Sequence, residues 1–183
     1  IFAFDNKAIT DDVGESTIEE LVNAAFTMSK PKTGALIVIE RKESLVNIEK
    51  TGILINGIVS SQLLINIFEH NTPLHDGAVL IRGNTIVSAT CYLPLSENMR
   101  ISKDLGTRHR AAIGISEVSD SITIVVSEET GRVSVALGGN LIKVNDSEEL
   151  RKELSVLLED TAEEKKSSLW SKLLKGRGNE KDK

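Results

Sequence analysis

The sequence predicts an α/β fold of the mixed α+β kind, in which a central twisted mixed β-sheet of about six or seven strands is surrounded by helices. Short apolar runs rich in Val and Ile alternate with longer segments whose apolar residues recur at helical spacing. The chain has 183 residues, of which 40% are hydrophobic and 27% are charged. It is therefore long enough to bury one substantial core.

Six apolar runs predict strands, and one further segment is ambiguous. The run 35–39 contains no polar residue, which is typical of a strand buried on both faces. Gly83 and Asn84 separate two later runs and fit a two-residue hairpin loop. The ambiguous segment is 53–58, which Gly57 interrupts. The predicted strands are 35–39, 78–82, 85–92, 122–126, 133–137 and 141–144.

Polar capping residues mark the predicted helix starts. Ser16 followed by Glu19 forms a capping-box pattern, and Pro31 predicts that this helix ends near Lys30. Further helices are predicted after Ser60 or Ser61, from Gly106 onwards, and after Ser147 as the last N-cap. We therefore expect one domain over residues 1–158, followed by a charged, flexible and solvated tail over residues 159–183.

Composition excludes several classes of protein. The net charge is −5 and aromatic residues make up only 3%, so neither the basic face nor the stacking platform of a nucleic-acid-binding protein is present. A polymeric nucleic-acid partner is excluded on this basis, whereas a small anionic ligand remains open. Cys91 is the one cysteine, which rules out an internal disulfide framework and fits a reducing compartment.

The N-terminus bears on the membrane question. No run approaches the roughly 20 apolar residues that a membrane span needs. However, the chain begins with Ile1 rather than Met, so it fits a segment of a longer protein whose span would precede it.

Three polar clusters fall where strands or helices are predicted to start or end. The first is His75-Asp76-Gly77, immediately before a strand. A carboxylate and an imidazole at the mouth of a strand are well placed to bind a ligand, and glycine lets the backbone approach it. The alternative is an ordinary Asp-Gly turn, and the stretch alone favours that simpler interpretation.

The second cluster is Thr107-Arg108-His109-Arg110, at the start of a predicted helix. Arginine near a helix N-terminus opposes the helix dipole by a few tenths of a kcal/mol. A bound phosphate would explain the choice, because it would meet backbone N–H groups, a hydroxyl and guanidinium groups together. The alternative is that Arg108 and Arg110 point outward and pair with surface carboxylates.

The third cluster is Ser127-Glu128-Glu129, after another strand. Asp76 and one of these glutamates offer oxygen ligands suited to Mg²⁺ or Mn²⁺, and a His75 nitrogen would favour Mn²⁺ or Co²⁺. Taken alone, the two glutamates are better explained as an exposed turn.

The order of two of these motifs resembles a known family. Asp76-Gly77-Ala78, followed about thirty residues later by Arg108-His109-Arg110, is similar to the paired DGA and RHR motifs of diadenylate cyclase domains. The resemblance covers roughly residues 17–158 and is greatest to the membrane-associated bacterial type. It implies an enzyme that makes cyclic di-AMP from two ATP molecules, with pyrophosphate as the second product.

The resemblance also implies roles for individual residues. Asp76 would hold a metal and help to activate a ribose 3′-hydroxyl, while Arg108 and His109 would act with it in catalysis. The implied metal ligands, for Mn²⁺, Mg²⁺ or Co²⁺, are His75, Asp76 and Glu129. The implied ATP-binding residues are Gly77, Ala78, Tyr92, Leu93, Gly106, Thr107, Arg108, His109, Ser127 and Glu128.

Because the product has two-fold symmetry, two ATP-bearing faces would have to meet in a homodimer. The resemblance further implies a cytoplasmic domain anchored to the membrane by a preceding N-terminal segment, and it is compatible with regulatory protein partners. Two other functions remain open: a non-catalytic nucleotide sensor that uses the same helix start, and an interaction module that recruits partners through its charged tail.

Overall fold

The computed structural model describes residues 8–159, which form one seven-stranded mixed sheet with helices on both faces. The predicted fold class is confirmed. The helices are α1 (Glu15–Ser29), α2 (Val46–Glu49), α3 (Ser61–Phe68), α4 (Thr107–Val118) and α5 (147–159). The strands are β1 (Ala35–Ile39), β2 (Ile53–Ile58), β3 (Ala78–Arg82), β4 (Thr85–Cys91), β5 (Ile122–Val126), β6 (Val133–Leu137) and β7 (Asn140–Val144).

The sheet has the strand order β2-β4-β3-β1-β5-β6-β7. β1 and β3 are parallel neighbours, and every other neighbouring pair is antiparallel. β1 therefore lies at the centre, between β3 and β5. All five of its residues are buried, which explains why its sequence is a continuous apolar run rather than an alternating one.

Two cores sandwich the central strand. Ala35, Ile37 and Ile39 point into the larger core, with α1, α3 and α5. Leu36 and Val38 point into the smaller core, where α4 contributes its alanines and Ile115. Alternate residues of β1 thus anchor opposite helical layers, as the two-residue repeat of a strand requires.

Two predicted helix caps are wrong. α1 begins at Glu15 and its N-cap is Gly14, whose carbonyl accepts hydrogen bonds from the N–H groups of Thr17 and Ile18, so Ser16 already lies within the first turn. In α5, Asp146 rather than Ser147 accepts the backbone N–H of Glu149, at 2.8 Å. By contrast, Ser60 caps α3 through the N–H of Leu63, which agrees with one of the two predicted choices.

Several predicted boundaries shift by one residue, and one ambiguity is resolved. The segment 53–58 is the edge strand β2, with a bulge between Leu54 and Gly57 in its pairing with β4. β4 ends at Cys91 and β7 begins at Asn140. Glu159 is still helical, and the rest of the predicted tail lies outside the described residues. No helix within residues 8–159 has the length and apolar character needed to cross a membrane.

Candidate active site

Strand register brings the first and third polar clusters to one end of the sheet, and the packing of α4 against β1 brings the second cluster there. Ala35, the first residue of β1, pairs with Val126, the last residue of β5. Ala78, the first residue of β3, pairs with Cys91, the last residue of β4. Since β1 and β3 run parallel, the segments before β1 and β3 and after β4 and β5 all emerge at this edge. Clusters that are distant in sequence therefore become neighbours in space.

Gly77 lets the chain turn tightly into β3. Its φ is +94°, and a Cβ placed there would lie 2.9 Å from the Cys91 carbonyl oxygen and from the carbonyl carbon of Thr90. Asp76 precedes it and is exposed at the surface of the site. The turn therefore needs glycine for both its dihedral angle and its close contact with β4, and it presents the Asp76 carboxylate outward.

Thr90 occupies a strained position opposite this turn. Its φ is +55°, which is unusual for a β-branched residue. The cause is a bulge, because the three residues of β3 from Ala78 to Leu80 pair across the four residues of β4 from Ser88 to Cys91. Strain of this kind is characteristic of functional sites, and here it shapes the wall between Gly77 and Tyr92.

Arg108 crosses the centre of the site. Its guanidinium lies directly over Gly34, where an ideal Cβ would be only 2.7 Å from Nη1. Nη1 donates a hydrogen bond to Glu128 Oε2 at 2.5 Å. Arg108 is therefore held above the start of β1, between the strand that follows Asp76 and the strand that precedes Glu128. The sequence left two arrangements open for Arg108, phosphate binding or pairing with a surface carboxylate. The structure shows Arg108 paired with the Glu128 carboxylate, and this ion pair lies inside the candidate site.

One cavity of about 450 Å³ joins the first two clusters. Asp76 and Gly77 line one side of it, while Thr107 and Arg108 line the other. Tyr92 is 75% exposed at its rim and Leu93 is buried in its wall. The remaining lining residues are Leu36, Thr90, Cys91, Leu95, Ala111 and Glu128. We call this space the nucleoside cavity, after the part of ATP that the family resemblance described above would place there.

A second cavity of about 410 Å³ lies on the other side of Arg108. The two cavities share Thr107, Arg108 and Glu128, so they meet at the N-terminus of α4. We call the second space the α4 cavity. Of the residues that the sequence implicated, it is lined by Gly106, Thr107, Arg108, His109, Ser127, Glu128 and Glu129.

His109 lines the α4 cavity but is only 7% exposed. Burial lowers the pKa of its imidazole from the usual 6.5, while the nearby negative charge of Glu129 acts in the opposite direction. The lowered pKa favours the neutral ring at pH 7, so His109 would offer one N–H donor and one acceptor rather than a full positive charge.

The implied metal ligands are not brought together in one chain. Asp76 lines the nucleoside cavity, Glu129 lines the α4 cavity, and His75 lines neither. Ala78, which was implied as an ATP-binding residue, also lines neither cavity. Among residues 8–159, no group of three or more His, Cys, Asp or Glu side chains is arranged to hold a metal ion.

The donor set nevertheless fits a metal shared with a substrate. Mg²⁺ is commonly held by one or two carboxylates together with substrate phosphates, and Asp76 supplies such a carboxylate. His75 Nδ1 lies 2.6 Å from the Thr72 carbonyl oxygen, which can only accept a hydrogen bond. In the neutral ring this contact places the proton on Nδ1, which leaves the Nε2 lone pair for a metal ion.

Comparison with known proteins decides the family. A family model described as "DisA bacterial checkpoint controller nucleotide-binding" matches residues 22–141. The chain belongs to the diadenylate cyclase (DAC) domain family. The matched residues 22–141 include all three polar clusters.

Curated relatives and solved structures agree with this assignment. The chain is 51% identical to the cyclic di-AMP synthase CdaA of Bacillus subtilis, over 87% of this chain and 59% of that protein. It is 54% identical to a diadenylate cyclase of Listeria monocytogenes, over 85% and 56% respectively. The chain therefore spans less than two thirds of the length of these relatives.

Among solved structures, a double mutant of DacA from Staphylococcus aureus has a TM-score of 0.77 at 46% identity, covering 79% of this chain and 96% of that one. A hypothetical membrane spanning protein from Bacillus cereus has a TM-score of 0.69 at 47% identity, covering 73% and 64%. The DAC fold is thus shared along most of the described residues.

Two residues of the candidate site escaped the sequence reasoning. Gly34 is separated from Arg108 by 74 positions, and the packing of α4 on β1 brings them together. Thr90 lies within an apparently regular strand, and no sequence signal marks its bulge. For Gly34, the only available signal was a glycine directly before a buried strand.

Gly34→Ala should displace the Arg108 guanidinium, because the new methyl group would occupy its place. We expect ATP to bind at least about tenfold more weakly, as for Arg108→Ala, since a hydrogen bond to a charged phosphate contributes about 1.5–3 kcal/mol. The denaturation midpoint should change little, because the clash involves the end of a flexible side chain. Gly14→Ala is the control, with no atom within 4 Å of the added Cβ. Unchanged ATP affinity of Arg108→Ala, measured by calorimetry, would remove Arg108 from the site.

Proposed function

We propose that this chain is the catalytic domain of a diadenylate cyclase, which condenses two ATP molecules into cyclic di-AMP and two pyrophosphates. The observation that carries the proposal is the nucleoside cavity, which Asp76 lines on one side and Thr107 and Arg108 line on the other. A carboxylate and an anion-binding helix start are then available to one nucleotide. The names of the curated relatives support the same activity.

Each residue type suits one part of ATP. The exposed ring of Tyr92 and the buried side chain of Leu93 offer apolar surface for adenine. Gly77 allows the nucleotide to approach the backbone. The first turn of α4 directs N–H groups and the Thr107 hydroxyl at phosphate, and Arg108 adds a guanidinium. Ser127 and Glu128 complete the boundary towards β5.

The chemistry is positioning and charge neutralisation. The 3′-hydroxyl oxygen of one ATP bonds to the α-phosphorus of the other, and the bond from that phosphorus to the β-bridging oxygen breaks with its electron pair. Asp76, which lines the cavity, would accept the hydroxyl proton, which then passes to water. Arg108 and the α4 N–H groups offset charge on the phosphoryl oxygens. A divalent ion bound by Asp76, with His75 or Glu129 as further ligands, would lower the pKa of the hydroxyl.

ATP with Mn²⁺, followed by mass spectrometry, tests the proposal directly. The chain should form cyclic di-AMP, and Asp76→Asn should form none. The variant should still unfold cooperatively near the wild-type midpoint, because Asp76 is exposed and contributes little packing. A nucleotide sensor predicts ATP binding without cyclic product. An interaction module predicts no stabilisation by ATP, and its partner binding should be lost when residues 159–183 are deleted.

The reaction needs two chains if each chain holds one ATP. Two nucleoside cavities would face each other across a two-fold axis, so that each 3′-hydroxyl lies opposite the other α-phosphorus. The implied metal ligands lie apart in one chain. In such a homodimer the second nucleotide would supply the ligands that one chain lacks. The full-length protein would carry this domain on a membrane anchor, which the membrane-spanning relative from Bacillus cereus supports.

Dilution tests the dimer. Specific activity should fall as the chain is diluted, with the rate approaching the square of chain concentration once monomer predominates. Analytical ultracentrifugation under the same conditions supplies the monomer fraction. Full specific activity in a solution that contains only monomer would refute the paired-site mechanism.

A further inference from the structure

Two buried residues line the α4 cavity with polar side chains that are available to a ligand. His109 is 7% exposed and Ser134 is 3% exposed, and both line this space. Within residues 8–159, neither side chain makes a hydrogen bond. Among the described residues, the one enclosed side-chain polar atom without a partner is Thr123 Oγ1, so the polar atoms of His109 and Ser134 open into the cavity, where they can bond to a ligand.

Two cations line the same cavity. Lys143 of β7 lies directly opposite Ser134 of β6, so both side chains are on one face of the sheet. Arg132 precedes Ser134 by two positions, and its carbonyl accepts the Ser127 N–H, which continues the β5–β6 ladder. Arg132 therefore points to the same face. Both cations are exposed, and neither forms an ion pair within the described part of the chain.

We propose that the α4 cavity binds the β- and γ-phosphates of ATP and then the released pyrophosphate, with Arg132, Ser134 and Lys143 as binding residues. This inference rests on the proposed diadenylate cyclase activity. It follows from continuity, because Thr107 and Arg108 line both cavities. A nucleotide whose α-phosphate lies at Arg108 has its nucleoside on one side of that residue and its leaving group on the other.

The cavity therefore serves the leaving group. When the α-phosphorus bonds to the incoming 3′-oxygen, the bond to the β-bridging oxygen breaks and the electron pair remains on pyrophosphate. Arg132 and Lys143 lie where that added charge accumulates, and donors that match developing charge accelerate such a step. The His109 and Ser134 side chains can each donate a hydrogen bond to phosphoryl oxygens.

The carboxylates of the cavity define the form of the ligand. Asp104, Glu128 and Glu129 line it as well. A free tetra-anion would be repelled by them, whereas a pyrophosphate complexed with a divalent ion presents both phosphoryl oxygens and a cation. The mixture of cationic and acidic side chains therefore fits magnesium pyrophosphate.

Two nucleotide affinities isolate the predicted contacts without turnover. Calorimetry would compare α,β-methylene-ATP, which cannot release pyrophosphate, with AMP, both in Mg²⁺. The double variant Arg132→Gln/Lys143→Gln should bind the ATP analogue about tenfold to a hundredfold more weakly, because each contact of these exposed cations, which water screens more than Arg108, contributes about three- to tenfold. AMP affinity should stay at the wild-type value. Inhibition of cyclic di-AMP formation by magnesium pyrophosphate should weaken in parallel.

A matched control separates local contacts from total charge. Lys30→Gln/Lys152→Gln removes the same two charges from exposed positions that do not line the cavity. It should leave both affinities unchanged. An unaltered preference of Arg132→Gln/Lys143→Gln for the ATP analogue over AMP would overturn the proposal. So would loss of pyrophosphate inhibition with that preference intact, because it would indicate an independent anion site.

Failure of the proposed activity would be distinguishable. A wild-type chain that binds α,β-methylene-ATP more tightly than AMP, and loses this preference with the two substitutions, supports the phosphate site even if no cyclic product forms. Absence of cyclic product would then count against the enzyme and not against the α4 cavity.

Discussion

The position of the Arg108 guanidinium above the bare backbone of Gly34 is the constraint on which the site depends. Glu128 fixes its outer edge, and the absence of a side chain at Gly34 lets it lie flat across the start of β1. The exposed Glu128 carboxylate makes this ion pair weak as a source of stability. Its consequence is geometric, because it places one cation at the border between the nucleoside cavity and the α4 cavity.

The sheet makes this arrangement rigid. β3, β1 and β5 are adjacent, so Asp76 and Glu128 lie at the ends of strands that are separated by about 10 Å, two strand spacings. Opposite faces of β1 are packed into two different cores, which prevents the strand from sliding. A chain with this register holds a carboxylate, a guanidinium and a helix N-terminus at one edge before any ligand binds. Such preorganisation suits a reaction that needs orientation and charge stabilisation more than a covalent nucleophile.

Sequence reasoning succeeded where local patterns carry the information. The apolar run of β1 and the DGA and RHR motifs identified the fold class and the family, and the family comparison confirmed both. It failed where backbone geometry or long-range contacts decide. Ser147 and Asp146 are adjacent candidates for a cap, and only backbone geometry distinguishes them. The contact of Gly34 with Arg108 depends on how α4 packs on β1, while the strained Thr90 and the alignment of Ser134 with Lys143 depend on strand register, and motifs encode neither. The residue roles in catalysis and metal binding remain predictions.

The central claim is that one nucleotide spans Asp76 and Arg108. A crystal structure of the chain with α,β-methylene-ATP and Mg²⁺ tests it most directly. The account predicts one nucleotide per chain, with the base beside Tyr92, the α-phosphate within hydrogen-bonding distance of Thr107 or Arg108, and the sugar facing Asp76. A fully occupied nucleotide bound elsewhere, with Asp76 and Arg108 touching no part of it, would contradict the account.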